Sequence, residues 1–449
     1  MKCKQWLRPD QPLNRRQLML LTGAAALGAA TASITGCAAN PVTGRQQLML
    51  LSEQDEIALD RRQSPHQFSA DYGPVQDPAL QLYFSSVGER LTQHTQRPQI
   101  PYSFRVVNAN YVNAYAFPGG SIAATRGILS SLNNEAELAG LLGHELGHVN
   151  ARHTAASMSR GALLGAALSG FGLIPTQPTG DGGIGDFLQQ VGQLGTQALL
   201  ASYSRDNERE ADALGMSYMV QAGYSAQGMV GLMDLLRSMQ RQTPSALELM
   251  FATHPMSDER FATARATADT TYAYGENFST NRERFMDSTA RLRTQTPAIK
   301  ALERSEQIMA RKDFAQAETV LTETSSRFPD DYCAQVLLAK CLLAQRQPLT
   351  ARPHLEQATH IYPEEAQAHN LLGMTYLWTQ QPDRALEQFT TFDKLMPGNP
   401  GTIFLIGYSH EMMKNNAEAA TRYKAFLQQI RQGPQAQYAY NRLKQWGYL

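Results

Sequence analysis

Cysteine is scarce in this chain, with four in 449 residues. Cys3 and Cys37 lie near the start. Cys333 and Cys341 are eight apart in a segment that reads as helical. On one continuous helix that step is about 12 Å along the axis, too long for a disulfide. A disulfide scaffold and a cysteine metal cluster are therefore excluded, and two buried packing thiols are expected. An excess of one charge is also missing, since Lys plus Arg and Asp plus Glu each total 40. No basic field exists to hold nucleic acid or an anionic membrane surface. Beyond the N-terminal region no run of about 18 or more purely apolar residues occurs, so no transmembrane helix is expected in the mature chain. The length exceeds one ordinary domain and points to two domains plus processing segments.

The N-terminus carries the secretory pattern. Lys2, Lys4, Arg8, Arg15 and Arg16 form a basic region, followed by a Leu/Ala/Gly-rich apolar run from Leu18 to about Ala32. Ile34-Thr-Gly-Cys37 then resembles a bacterial lipobox, which would make Cys37 the first mature residue and the site of lipid attachment. Residues 1–36 are thus expected to be a lipoprotein-type signal peptide. Ala38, in place of Asp, points to the outer membrane. Ordinary cleavage between Ala30 and Ala39 is the alternative, leaving a soluble periplasmic protein. Arg15-Arg16 is a weak match to a twin-arginine export signal, so the export route stays open.

After a short leader, Ser52–Arg62 reads as a helix with Ser52 as N-cap and Glu53 and Asp55 in its first turn. Pro78–Gln93 reads as an amphipathic helix that buries Leu80, Leu82, Val87 and Leu91. From Tyr102 to Leu129 the period shortens to that of strands, with Pro118-Gly-Gly punctuating a hairpin or edge strand. Asn133 and Asn134 offer an N-cap for the next helix. Thr154–Ala201 is rich in Gly, Ala and Ser. It is expected to be a partly helical insert of the kind used as a lid or binding loop. A linker is expected near Arg291–Pro297.

The C-terminal third repeats. Pro329, Pro363 and Pro397 are 34 residues apart, as are Ala317, Ala351, Ala385 and Ala419. Leu321, Leu355, Phe389 and Tyr423 keep the same step, as do Leu338, Leu372 and Ile406. Ala339, Gly373 and Gly407 hold a small position. This is the tetratricopeptide pattern of two antiparallel helices per repeat, with at least three complete repeats and a partial first one. Such repeats stack into a solenoid whose concave face binds peptide.

Chemistry resides in His144-Glu-Leu-Gly-His148, inside a helical stretch that starts at Glu135. Residues i and i+4 share a helix face, so two imidazoles can meet one ion. Glu145 stands beside them as general base, the arrangement of a zinc protease. A catalytic zinc needs a third protein ligand. A metzincin would place it six residues after the second His, but that residue is Thr154, and His153 is one position off. A later helix holds Glu208-Arg-Glu-Ala-Asp212. Glu208 is the expected third ligand, and Asp212, about 40° away around the helix, is expected to accept the second ring N–H of His144. Glu210 lies about 200° from Glu208 and cannot face the same ion.

With Ser204-Arg-Asp-Asn-Glu-Arg-Glu-Ala-Asp212, Asn113-Ala-Tyr-Ala-Phe-Pro-Gly-Gly120 and Ala252-Thr-His-Pro255, the motif resembles zinc metallopeptidases of the HtpX and CAAX-prenyl-protease type. The resemblance implies a mainly α, gluzincin-type domain over residues 37–292 with a small β-sheet, and an all-α tetratricopeptide solenoid over 298–449. It implies one Zn²⁺ per chain. It also implies that Asn113, Ala114, Tyr115 and Ala116 form the edge strand along which substrate lies, and that His254 is a fourth or regulatory ligand. His254 and Arg205 are both candidates for a second oxyanion donor.

Export signal, peptidase and repeats together point to an endopeptidase that clears misfolded envelope proteins in outer-membrane quality control. The resemblance implies that the repeats hold clients or dock on the outer-membrane β-barrel assembly machinery. The alternative is a periplasmic chaperone or adaptor whose zinc site is latent. A prenyl-protein protease is disfavoured by the lack of membrane helices.

Overall fold

The computed structural model describes residues 37–160, 203–242 and 248–449. The expected signal peptide and most of the Thr154–Ala201 insert lie outside the described residues. Among the described residues no helix is long and apolar enough to cross a membrane.

Strands β1 (Cys37–Ala39) and β2 (Gln46–Leu48) pair antiparallel. The helix Glu53–Ala70 begins with a capping box. Ser52 accepts from the Asp55 N–H, and the Asp55 carboxylate accepts from the Ser52 N–H. It runs past Arg62 and carries Pro65 inside it. The helix Pro78–Thr92 is capped by Asp77 and buries Leu80, Phe84, Val87 and Leu91. Leu82 is instead 72% exposed. Two residues along a helix rotate about 200°, so Leu82 cannot share the face of Leu80, and Phe84 takes its place.

Strands β3 (Ser103–Val107), β4 (Ala114–Ala116) and β5 (Ser121–Thr125) form one sheet in the order β3-β5-β4. β3 runs parallel to β5 and β4 antiparallel to it. The turn between β4 and β5 needs Gly120 at φ 104°. β4 is an edge, as the punctuation implied. Thr125 N–H donates to Asn113 O and Phe117 N–H to Ser121 O, so the alternate residues Ala114 and Ala116 turn their backbone groups away from β5.

The motif helix, Glu135–Asn150, starts at Asn134, which accepts from the Glu137 N–H, and every one of its residues is buried. It packs against the acidic helix Arg205–Gln221 and the helix Gln227–Gln242. Glycines set the first of these approaches. A Cβ on Gly147 would lie 2.8 Å from the Ala211 backbone, and one on Gly215 would lie 2.7 Å from the His144 nitrogen.

The array comprises the helix pairs Thr296–Ala310/Phe314–Arg327, Tyr332–Ala344/Pro348–Ile361, Ala366–Trp378/Pro382–Leu395 and Pro400–Met412/Asn416–Gln429, closed by Pro434–Gln445. The first pair is complete, although Arg304 and Ser305 stand where later repeats have Leu338 and Ala339. Ala317, Ala351, Ala385 and Ala419 are fully buried, as are Leu321, Leu355, Phe389 and Tyr423. Column sizes compensate. A Cβ on Gly373 would lie 2.7 Å from the Phe389 ring, and one on Gly407 2.9 Å from Tyr423. Where the partner column holds the smaller Leu355, the small column holds Ala339. Cys333 and Cys341 share one helix, buried and unbridged.

The segment read as a linker is helical, Ala290–Thr294 followed by Thr296–Ala310. Ile299 joins the core of the N-terminal part while Leu302 joins the core of the array. Polar contacts bind the two parts. Arg126 donates to both carboxylate oxygens of Asp331 (2.8 and 3.2 Å) and the Tyr72 hydroxyl meets Glu306 at 2.9 Å. Ser69 bonds Glu365, and Gln367 donates to Ser69 O at 2.9 Å.

Candidate active site

The i, i+4 spacing on the motif helix brings His144 Nε2 and His148 Nε2 to 3.1 Å. The acidic helix, held close through Gly147 and Gly215, sets Glu208 beside both rings. Its Oε1 lies 3.3 Å from His148 Nε2 and its Oε2 3.6 Å from His144 Nε2. His254, just past the short helix Glu248–Thr253, places Nδ1 3.3 Å from His144 Nε2 and 3.2 Å from Glu208 Oε1. One ligand atom from each of His144, His148, Glu208 and His254 lies within 4.8 Å of the others, and all four residues are buried.

The donor set fits a metal. Asp212 Oδ1 lies 2.9 Å from His144 Nδ1. A carboxylate only accepts, so that nitrogen carries a proton, and in the neutral ring His144 Nε2 is the lone pair free to meet a metal. Imidazole nitrogens and carboxylate oxygens converging in a buried space need a cation, a metal ion or shared protons, among them.

Burial alone would raise the Glu208 carboxyl, but His254 and His148 beside it hold it well below the usual carboxylate range. Burial pushes His148 well below the usual imidazole range. Burial also pushes His144 down, yet the hydrogen bond to Asp212 and the charge of Glu208 leave it raised. Glu145 is 1% exposed, and its Oε2 has no hydrogen-bond partner. Burial raises its carboxyl, the direction that suits a group which takes and returns a proton.

Arg260 is absent from the sequence expectations. It donates to Asp212 from Nε and Nη2, both at 2.7 Å, to Glu208 Oε2 at 2.5 Å, and to Pro255 O at 2.9 Å. One guanidinium thus braces a ligand, its neighbour and the turn that carries His254. Its only sequence signal is its place six residues after His254. Tyr203, also missed, stacks on His148 with centroids 3.9 Å apart and donates its N–H to Thr253 O. Arg205 is exposed on the acidic helix.

Asn113, Ala114, Tyr115 and Ala116 lie on or beside β4 and are all buried. Tyr115 turns its hydroxyl to Asp71 at 2.5 Å, and Asn113 Oδ1 has no partner. Cys37 opens β1.

Two histidines one helical turn apart, a glutamate from a second helix and a buried glutamate with one unbonded oxygen have the arrangement of a metallopeptidase site. Residues 78–268 match the family model of peptidase family M48, and residues 309–374 match a tetratricopeptide repeat model. The chain carries an M48 domain followed by tetratricopeptide repeats and is a metalloendopeptidase. It is similar to the beta-barrel assembly-enhancing protease of Yersinia pestis, 24% identical over 406 residues, covering 85% of this chain and 82% of that protein. The protein of that name from Escherichia coli strain K12 is 31% identical over 201 residues, 43% of this chain and 40% of that one. Metalloprotease YcaL of the same strain is 33% identical over 162 residues, covering 36% of this chain and 59% of YcaL. These last two matches span less than two thirds of the relatives' own length.

Proposed function

We propose that this chain is a zinc-dependent endopeptidase of the bacterial envelope that degrades misfolded outer-membrane or periplasmic proteins. The convergence of His144, His148 and Glu208 beside buried Glu145, whose Oε2 is unbonded, carries the proposal. His144, His148 and Glu208 would hold the zinc, with Asp212 orienting His144. Zinc in such a site activates water and polarises the scissile carbonyl. Glu145 accepts the proton of the attacking water and returns it to the leaving amine. Substrate would lie extended along the edge of β4, where Ala114 and Ala116 turn their backbone groups away from β5. The similarity to proteases named for enhancing β-barrel assembly supports envelope clients. The repeats would hold those clients or dock on the assembly machinery, and a lipid on Cys37 would anchor the chain to the outer membrane.

Glu145→Gln in the purified mature protein tests this. Casein cleavage should fall by about 10²–10⁴-fold, the usual worth of a general base. Cleavage at the wild-type rate would remove Glu145 from the mechanism. One observation favours a second reading, a latent adaptor: His254 stands among the ligands, where it would fill the position a substrate needs. That reading gains if neither protein cuts while both suppress client aggregation.

A further inference from the structure

The two ligand histidines are braced in different ways. His144 gives its Nδ1 proton to Asp212. His148 has no carboxylate at Nδ1; it meets His153 Nδ1 at 3.0 Å. The other nitrogen of His153 lies 3.1 Å from Glu210 Oε2. Glu210 can only accept, so a neutral His153 carries its proton on Nε2 and leaves a lone pair on Nδ1. The proton shared between the two Nδ1 atoms then belongs to His148, and His148 Nε2 is bare. Asn40, on the turn between β1 and β2, donates to Glu210 Oε1 at 3.2 Å and to Ala151 O at 3.4 Å.

A continuous helix would put residues 148 and 153 about 140° apart. The motif helix instead ends at Asn150, and Arg152 turns the chain with φ 60°. Glu56 at 3.0 Å and Leu51 O at 2.8 Å hold the Arg152 guanidinium. The break returns His153, 1% exposed, to the back of the His148 ring.

We propose that His153, aimed by Glu210, is the positioning residue that fixes the metal-binding tautomer of His148, and that Asn40 makes the N-terminal strand pair part of this brace. The inference rests on the metal site proposed above. It gives His148, through an imidazole relay, what Asp212 gives His144 directly.

Zinc affinity of the full mature chain, measured by chelator competition, tests it. The melting temperature of the metal-free protein is followed in parallel. His153→Leu should weaken zinc binding by roughly 10–100-fold, the usual effect of losing a ligand's hydrogen-bond partner. His153→Asn, whose side-chain carbonyl can replace the Nδ1 acceptor, should stay within a few-fold of wild type. Glu210→Ala, at a position about a quarter exposed, should weaken binding several-fold and keeps the test open if His153→Leu does not fold. Wild-type affinity in His153→Leu, or in Glu210→Ala, overturns the proposal. So does an Asn variant as weak as the Leu variant. Failure of the metal reading would look different, with no zinc bound by the wild type.

Discussion

At the scale of residues, the cluster places a fourth protein ligand atom, a nitrogen of His254, where a catalytic metal keeps an open position. His254 Nε2 is also 3.8 Å from Glu145 Oε1, so the same ring faces both the ligands and the base. His254→Ala should therefore raise casein cleavage at matched zinc content; a rate that stays flat or falls would remove His254 as a latch. His144, His148, Glu208 and Asp212 were readable in the sequence because each pair shares one helix, where spacing fixes the angle between side chains. Arg260 and His153 were not. Their partners lie across turns, and a turn such as the one at Arg152 erases the helical register on which spacing arguments depend.

At the scale of elements, the metal cluster depends on how closely two helices cross. Gly143, Gly147 and Gly215 leave no room for a Cβ on the facing surfaces. Gly147→Ala gains helix propensity, yet the added methyl meets the Ala211 backbone, which cannot swing aside as a side chain would. We expect a net loss of about 1–3 kcal/mol, the usual cost of overpacking, seen as a lower melting temperature together with reduced zinc content. Unchanged stability and metal content would mean the helices have slack. The same logic is visible in the repeats, where glycine faces Phe389 and Tyr423. Periodicity revealed those columns. Leu82 shows the limit: an apolar residue was counted toward a face that its angular position denies it.

At the scale of the molecule, the array is fastened to the peptidase by buried charge. Arg126 and Asp331 are 3% and 8% exposed, and Asn110 Oδ1 also accepts from Arg126. Arg126→Ala should cost about 3–5 kcal/mol, because it strands Asp331 without its partner. Thermal unfolding would show this, and a melting temperature within error of wild type would refute it. The first array helix also carries Glu303, whose carboxyl is pushed up to about 7 by burial and then by the charge of Glu306. Its folded pKa lies above the ordinary value, so the folded state keeps a proton that the unfolded chain has released. This contribution is fully present below about 4.5 and is lost as pH rises through about 7. Glu303→Gln should flatten the decline in melting temperature across that window; an unchanged slope would show that other groups set it.

The sequence by itself determined the residue types of the cluster, the repeat period and that the motif helix starts at the pair Asn133 and Asn134. Each of these follows from chemistry or from angles within a single element. Only the tertiary structure decided which side chains stand behind the ligands, how the linker segment joins the two cores, and that His254 reaches the cluster. Those depend on helix crossings set by missing Cβ atoms and on backbone turns such as Arg152, whose effects appear only once distant segments are packed together.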